Sequence, residues 1–254
     1  MAKLVQKSGY IKSGKASGYM RYIATREGVE KLVGNGAVTK GQRELIQKLL
    51  TDFPDAAELF EYEDYCKTPT LGTASAFIGM ALDANIHEID SESGYMQYIA
   101  TRPRVQKRGT HGLFSSATAV DLTSAMSELE AHEGNVWTII YSLRREDAAR
   151  LEYDSADAWR TLLMENAPTL AKSMKISLDN FHWYAAFHDE GHHPHIHMMV
   201  WSDDPKEGFL TKDGIAAMRS KLTNAIFRDE MQQIYERKDV AYSDLVEAAQ
   251  NAMR

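Results

Sequence analysis

The sequence predicts an α+β fold, a central antiparallel sheet flanked by helices, and three features carry that prediction. Val136–Leu143 (VWTIIYSL) is a run of β-branched and aromatic residues suited to a buried central strand. Phe181–His188 (FHWYAAFH) and His195–Trp201 (HIHMMVW) are two more such runs, joined by the six residues Asp189–Pro194, which suits an antiparallel hairpin. Between and after these strands lie stretches of helical periodicity of unequal length. Strands separated by uneven helices, with a hairpin among them, argue against a regular parallel α/β repeat.

In chain order, Lys3–Ile11 reads as a short strand leading into a Gly/Ser turn at Ser13–Gly18, and Tyr19 to about Val33 reads as helical. Gly34–Gly36 breaks that helix, and Gly41–Leu50 is an amphipathic one. The acidic segment Asp52–Tyr65, with Pro54, reads as a loop or short helix, and Ser75–Leu82 as helical. Leu122–His132 is a helix closed by Gly134 and Asn135. After the central strand, Arg144–Arg150 begins a polar helix, Ala156–Met174 continues as helix, and Thr211–Lys238 is one long amphipathic helix with a short helical tail to Arg254.

Composition narrows the class. The 254 residues are 44% hydrophobic and 26% charged, the balance of a chain that folds on its own core. No run reaches the ~18 apolar residues a spanning helix needs, and no apolar signal core opens the chain, so membrane insertion is not expected and a cytoplasmic location is. A single cysteine, Cys66, excludes an internal disulfide and any multi-cysteine metal site. The net charge of −7 alone argues against nucleic acid. Its distribution argues the other way. Residues 1–48 carry ten Lys or Arg against three Glu, and Tyr95–Thr110 carries Arg102, Arg104, Lys107 and Arg108 with no acid. Residues 51–94, between these islands, hold ten acids against Lys67 alone. Two basic islands of this kind suit a phosphate backbone.

Six of the nine histidines fall between His182 and His197. Alternation along a strand puts His195 and His197 on one face and Ile196 and Met198 on the other, and closure of the hairpin brings His188 back beside the pair. Three neutral imidazoles leave coordination positions open, the pattern of a catalytic metal. His182 shares the face of His188 and reads as a supporting or packing residue. His192 and His193 read as solvated loop residues, as do Asp189 and Glu190, which could alternatively hydrogen-bond a ligand histidine. Trp183, Tyr184 and Trp201 read as core.

The other signal is a repeat. SGYMRYIATR at Ser17–Arg26 recurs as SGYMQYIATR at Ser93–Arg102, identical at nine of ten positions and 76 residues later. Two copies are too few for a solenoid. On a helix Tyr22 and Arg26 are i,i+4 neighbours, as are Tyr98 and Arg102, which sets a phenol beside a guanidinium. A phenol, with an unperturbed pKa near ~10, attacks phosphorus only with help from a cation, base or metal. Arg21, Arg26, Arg102, Arg104, Lys107 and Arg108 are candidate phosphate contacts, with Arg144 and Arg145 either neutralising DNA or making ordinary ion pairs.

Tyr22-Ile23 behind a short N-terminal strand, the strand at Val136–Leu143, and His188-x6-His195-x-His197 on a hairpin together resemble a conjugative relaxase of the HUH endonuclease superfamily. The stretches YIATREGVE, YIATRPRVQKRGTHGLF, SLRREDAARLEYD and AFHDEGHHPHIHMMVWS are closest to the MobL-type mobilisation relaxases of the MobP group. The resemblance runs from about Lys3 to Asp239 and implies one relaxase domain over residues 1–254, with an acidic helical insertion around 40–92 and a C-terminal helical segment at 211–254. It implies site- and strand-specific nicking of single-stranded DNA at an origin of transfer, through a 5′-phosphotyrosine intermediate and subsequent religation. A divalent ion, Mn²⁺ or Mg²⁺, would be held by His188, His195 and His197. Tyr22 takes the nucleophile's position, and Tyr98 in the second copy is equally placed to serve. Accessory relaxosome proteins and a coupling protein are the partners implied besides DNA, and passage into a recipient cell with the DNA is implied too. A rolling-circle initiator or transposase of the same superfamily usually places its tyrosine after the histidines, the reverse of the order here. A non-covalent DNA-binding accessory protein is the other reading.

Overall fold

A computed structural model describes residues 3–10, 36–85, 96, 99–101, 105–107, 109–132, 134–189, 193–228, 230 and 232. Five strands form one antiparallel sheet in the order β1-β3-β5-β4-β2: β1 Val5–Tyr10, β2 Leu113–Phe114, β3 Trp137–Ser142, β4 Phe181–His188 and β5 His195–Ser202. The expected α+β class and antiparallel sheet are both present. The two-residue β2 carries too little pattern to be read from sequence; it pairs Leu113 with Ala186 at the sheet edge.

The strand alternation creates two unlike faces. Ile139 and Tyr141 of β3, Ile196, Met198 and Val200 of β5, and Trp183, Ala185 and Phe187 of β4 form one apolar face. It is covered by α6 (Ala156–Ser173), through Trp159, Leu162, Leu163 and Leu170, and by α7 (Lys212–Ile226), through Met218, Leu222 and Ile226. Burying large aliphatic and aromatic side chains this way stabilises by about 1.5–3 kcal/mol each before entropy is counted. The two helices approach closely: a Cβ on Gly214 would lie 2.4 Å from the Ser173 carbonyl oxygen.

The opposite face has two covers. Val5 and Ile140 pack under α1 (Lys40–Asp52), the 3-10 turn Pro54–Glu58, α2 (Phe60–Lys67) and α3 (Leu71–Asn85), through Leu49, Phe60, Phe77 and Ile78. Leu113, Ala186, Met199 and Trp201 pack instead against Met96, Ile99, Ala100 and α4 (Leu122–Glu130). The acidic segment expected as a loop or short helix is thus the 3-10 turn and α2 in succession. Thr39 opens α1 with a capping box: Gln42 N–H donates to Thr39 Oγ1 (3.1 Å) and Thr39 N–H to Gln42 Oε1 (3.0 Å). The same Gln42 amide donates to Ser75 Oγ at 2.9 Å, tying α1 to α3.

After β3, α5 (Arg145–Arg150) stops before α6 because Glu152 adopts φ 62°, a left-handed turn that no helix continues through. Ser155 then caps α6. The long helix expected over Thr211–Lys238 is described as Lys212–Ile226, with Phe227 at its C-cap, and most of the chain beyond Phe227 lies outside the described residues. The expected helix at Tyr19–Val33 lies outside them as well.

Candidate metal centre

The hairpin register sets the centre. His188, the last residue of β4, pairs with His195, the first of β5, and Ala186 pairs with His197, so three imidazoles share one face at one end of the sheet. Their ring centroids are 4.7–5.2 Å apart, and one ring nitrogen from each lies within 4.8 Å of the others. All three rings are buried, in the seam between the two covers of that face. Among the described residues they are the one group of histidine, cysteine and carboxylate side chains arranged to hold a metal.

Two of the rings have their tautomers set by backbone. His188 Nε2 is 2.9 Å from the Ile99 carbonyl oxygen and His195 Nδ1 is 3.0 Å from the His193 carbonyl oxygen. A carbonyl only accepts, so each contacting nitrogen carries the proton and the other nitrogen keeps its lone pair. The lone pairs are therefore on Nδ1 of His188 and Nε2 of His195, both buried, as is Nε2 of His197. The donor set is neutral and all-nitrogen, of the kind that holds a borderline divalent metal. Neutral ligands leave a bound dication its full charge, which suits polarising an anionic oxygen.

His193, expected to be solvated, is buried instead. Its ring stacks on Phe60 of α2 (centroids 5.2 Å, interplanar 22°) and its Nε2–H donates to Asp64 Oδ2 at 2.8 Å. Arg144, which follows β3, is turned onto the same helix: it donates to Asp64 Oδ1 at 3.2 Å, pairs with Glu63 at 3.3 Å and lies 4.7 Å over the Phe60 ring. Burial pushes the Asp64 carboxyl up, but the His193 hydrogen bond and the Arg144 charge outweigh it and hold the group below its ordinary range. Arg145 pairs with Asp189 at 2.5 Å. Both arginines thus make ion pairs within the chain, the alternative left open for them. The partners Asp64 and Ile99 escaped sequence reasoning; an acidic run and a backbone carbonyl carry no motif.

His182 sits at the far end of the hairpin, away from the triad, with Nε2 2.7 Å from Asp203 and its ring stacked on Trp201. Trp183 and Trp201 are core, and Tyr184 is half-buried with its hydroxyl donating to Glu128 at 2.9 Å. Lys107 is exposed, two residues beyond Val105, which bridges to His188 at the sheet edge. Tyr22, Tyr98, Arg21, Arg26, Arg102, Arg104, Arg108, His192 and Glu190 lie outside the described residues.

The family described as MobL relaxases matches residues 1–254, the whole length of the chain. The chain belongs to the MobL relaxase family. Membership makes it a mobilisation relaxase, a DNA-nicking enzyme of conjugative transfer whose partner is DNA, and three buried histidines able to hold a metal suit that class. Searches of curated proteins and of solved structures found no match. No helix of this MobL relaxase among the described residues is long and apolar enough to cross a membrane.

Proposed function

We propose that the protein nicks one strand of DNA at an origin of transfer by tyrosine transesterification, with His188, His195 and His197 holding a divalent ion. The observation that carries this reading is the buried histidine triad with two backbone-set tautomers, in a chain of the relaxase family. A divalent ion there, when bound, supplies electrophilic stabilisation of the charge that develops on the scissile phosphate. Of Mn²⁺ and Mg²⁺, an all-imidazole set favours Mn²⁺, because Mg²⁺ prefers oxygen ligands and gives up water reluctantly.

Tyr22 is the nucleophile in this reading, with Tyr98 as the alternative or a second one for closure. The phenol loses its proton, its oxygen attacks phosphorus, and the bond to the 3′-oxygen breaks as that oxygen takes up a proton. The 5′-phosphate stays on tyrosine. One phosphodiester replaces another at similar energy, so attack by a 3′-hydroxyl on the adduct reseals the strand. The basic islands around the two tyrosine copies hold the strand's phosphates, through Arg21, Arg26, Arg102, Arg104, Lys107 and Arg108. Only those islands carry a net positive charge, on a chain of net charge −7, and this limits indiscriminate binding. The protein acts in the cytoplasm in this reading, with relaxosome and coupling proteins as further partners.

The test is adduct formation. Purified protein, a single strand carrying the cognate origin and Mn²⁺ give a covalent product that survives denaturing gels and disappears with EDTA. Peptide mapping of the adduct identifies the tyrosine. Loss in Tyr22→Phe supports the assignment; survival there with loss in Tyr98→Phe moves the nucleophile to Tyr98. If a Tyr22→Phe/Tyr98→Phe double variant still cleaves and His195→Ala does not, the chemistry is metal-assisted hydrolysis and transesterification is wrong.

A further inference from the structure

We propose that Asp64, on α2 of the acidic segment, is a positioning residue for the metal centre, acting through His193 on the ligand His195. The proposal rests on the reading of the triad as a metal site. His195 can present its Nε2 lone pair to the other two rings only while its Nδ1–H is held by the His193 carbonyl, 3.0 Å away. That carbonyl belongs to a loop residue, which backbone freedom would otherwise let move.

Two contacts of its side chain fix it. The buried His193 ring is stacked on Phe60 and hydrogen-bonded to Asp64 at 2.8 Å. Pro194 comes next and locks its own φ, and its carbonyl accepts from Leu143 N–H at 3.2 Å, so the chain between His193 and His195 has little freedom. Asp64 is itself held by Arg144 at 3.2 Å. The chain of contact runs Arg144, Asp64, His193 side chain, His193 carbonyl, His195 ring. The acidic helix thereby has a task unrelated to repelling or steering DNA: it clamps the entrance of the strand that carries two of the three ligand histidines.

Co²⁺ serves as the probe, because its visible absorption reports ligand geometry and its titration reports affinity. Asp64→Ala weakens Co²⁺ binding about tenfold and changes the absorption bands, in the range seen for partners that orient ligand histidines. His193→Phe, which keeps the ring stack and loses the hydrogen bond, does the same, and carries the test if Asp64→Ala does not fold. The double variant loses no more than either single one, since both break one link. Asp203→Ala is the control: it removes a similar carboxylate–histidine bond, 2.7 Å to His182, at the other end of the hairpin. It leaves Co²⁺ affinity and spectrum unchanged. Wild-type affinity and spectrum in the Asp64 and His193 variants, additive losses in the double variant, or an equal loss in Asp203→Ala would each overturn the proposal while leaving the metal site standing. Wild-type protein that shows no bound-Co²⁺ spectrum would overturn the metal site and this proposal with it.

Discussion

His188 Nε2–H donates to the carbonyl oxygen of Ile99, 2.9 Å away, and Ile99 is the residue directly after Tyr98 in the second copy of the repeated decapeptide. The repeat and the histidine hairpin, separate signals in the sequence, therefore meet in one hydrogen bond. Ile99 is fully buried with Met96, Ala100 and Leu129. Ile99→Ala removes that packing and should cost about 2–4 kcal/mol, read as a lower urea midpoint at unchanged slope. Because the backbone it anchors holds the His188 tautomer, Mn²⁺ affinity measured by calorimetry should fall as well. Undiminished affinity would show that His188 needs no such anchor.

The reach of the sequence depends on how local each signal is. The hairpin and β3 were legible because periodicity and β-branched composition act within a few residues, and the face shared by His188, His195 and His197 comes from alternation together with the closure of a short hairpin. His193 was not legible. Its burial depends on Phe60 and Asp64, about 130 residues earlier in the chain, and a histidine in a loop with Gly and Pro looks like any turn residue until those partners arrive. For Arg144 ion pairing was one of two readings, but its partners Glu63 and Asp64 were not legible, because α2 supplies them and not its own neighbours. The edge strand at Leu113–Phe114 was too short to leave a pattern, and only its pairing to β4 defines it.

The triad should bind metal only as a set. His197→Ala leaves two imidazoles, so the rise in thermal midpoint that Mn²⁺ gives the wild type should vanish, whatever the truncation of this buried ring costs the metal-free protein. At a free concentration of 100 times Kd, binding to the folded state alone adds about 2.7 kcal/mol, which differential scanning fluorimetry resolves. An undiminished Mn²⁺ shift in His197→Ala would place the metal elsewhere.

The far face of the sheet gives the opposite dissociation. Leu163 on α6 is fully buried against the face that carries no histidine of the triad. Leu163→Ala should cost about 2–5 kcal/mol in urea unfolding and leave Mn²⁺ affinity at the wild-type value, provided the protein stays folded in the assay. A matching loss of affinity would mean that the hairpin is positioned by α6 and not by α2.

Acid should loosen the α2 clamp from a known side. Lys67 and Lys3, with Arg144 beyond them, hold the Glu63 carboxyl down to about 2 from its ordinary 4.5. A carboxylate whose pKa is lower in the folded state contributes stability that is fully present above about pH 4.5 and is lost as pH falls through the folded value. The side chain is 36% exposed, so solvent screening keeps the contribution small. Glu63→Gln should therefore lower stability slightly at pH 7 and flatten the fall between about pH 4.5 and 2, in urea midpoints taken across that window. Parallel curves for the two proteins would remove Glu63 from the account.

Two glycines should respond to alanine with opposite signs. A Cβ on Gly112 would lie 2.1 Å from Val105 Cγ2 and 3.1 Å from the Gln106 carbonyl oxygen. Valine is stiff and the second contact is backbone, so the segment must move. That segment is the one bound to the end of β4: Val105 bridges to His188, and Gln106 N–H donates to the Phe187 carbonyl at 2.9 Å. Gly112→Ala should cost about 1–3 kcal/mol and weaken Mn²⁺ binding together, because the displaced backbone lies against a ligand residue. Gly41, in the first turn of α1, has nothing within 4 Å of the added carbon. Gly41→Ala should stabilise by about 0.5–1 kcal/mol, through the lost freedom of the unfolded chain, with no change in metal affinity. Thermal midpoints and Mn²⁺ titrations of the two variants separate the cases, and a Gly112→Ala protein as stable as wild type would show that residues 105–107 do not brace His188.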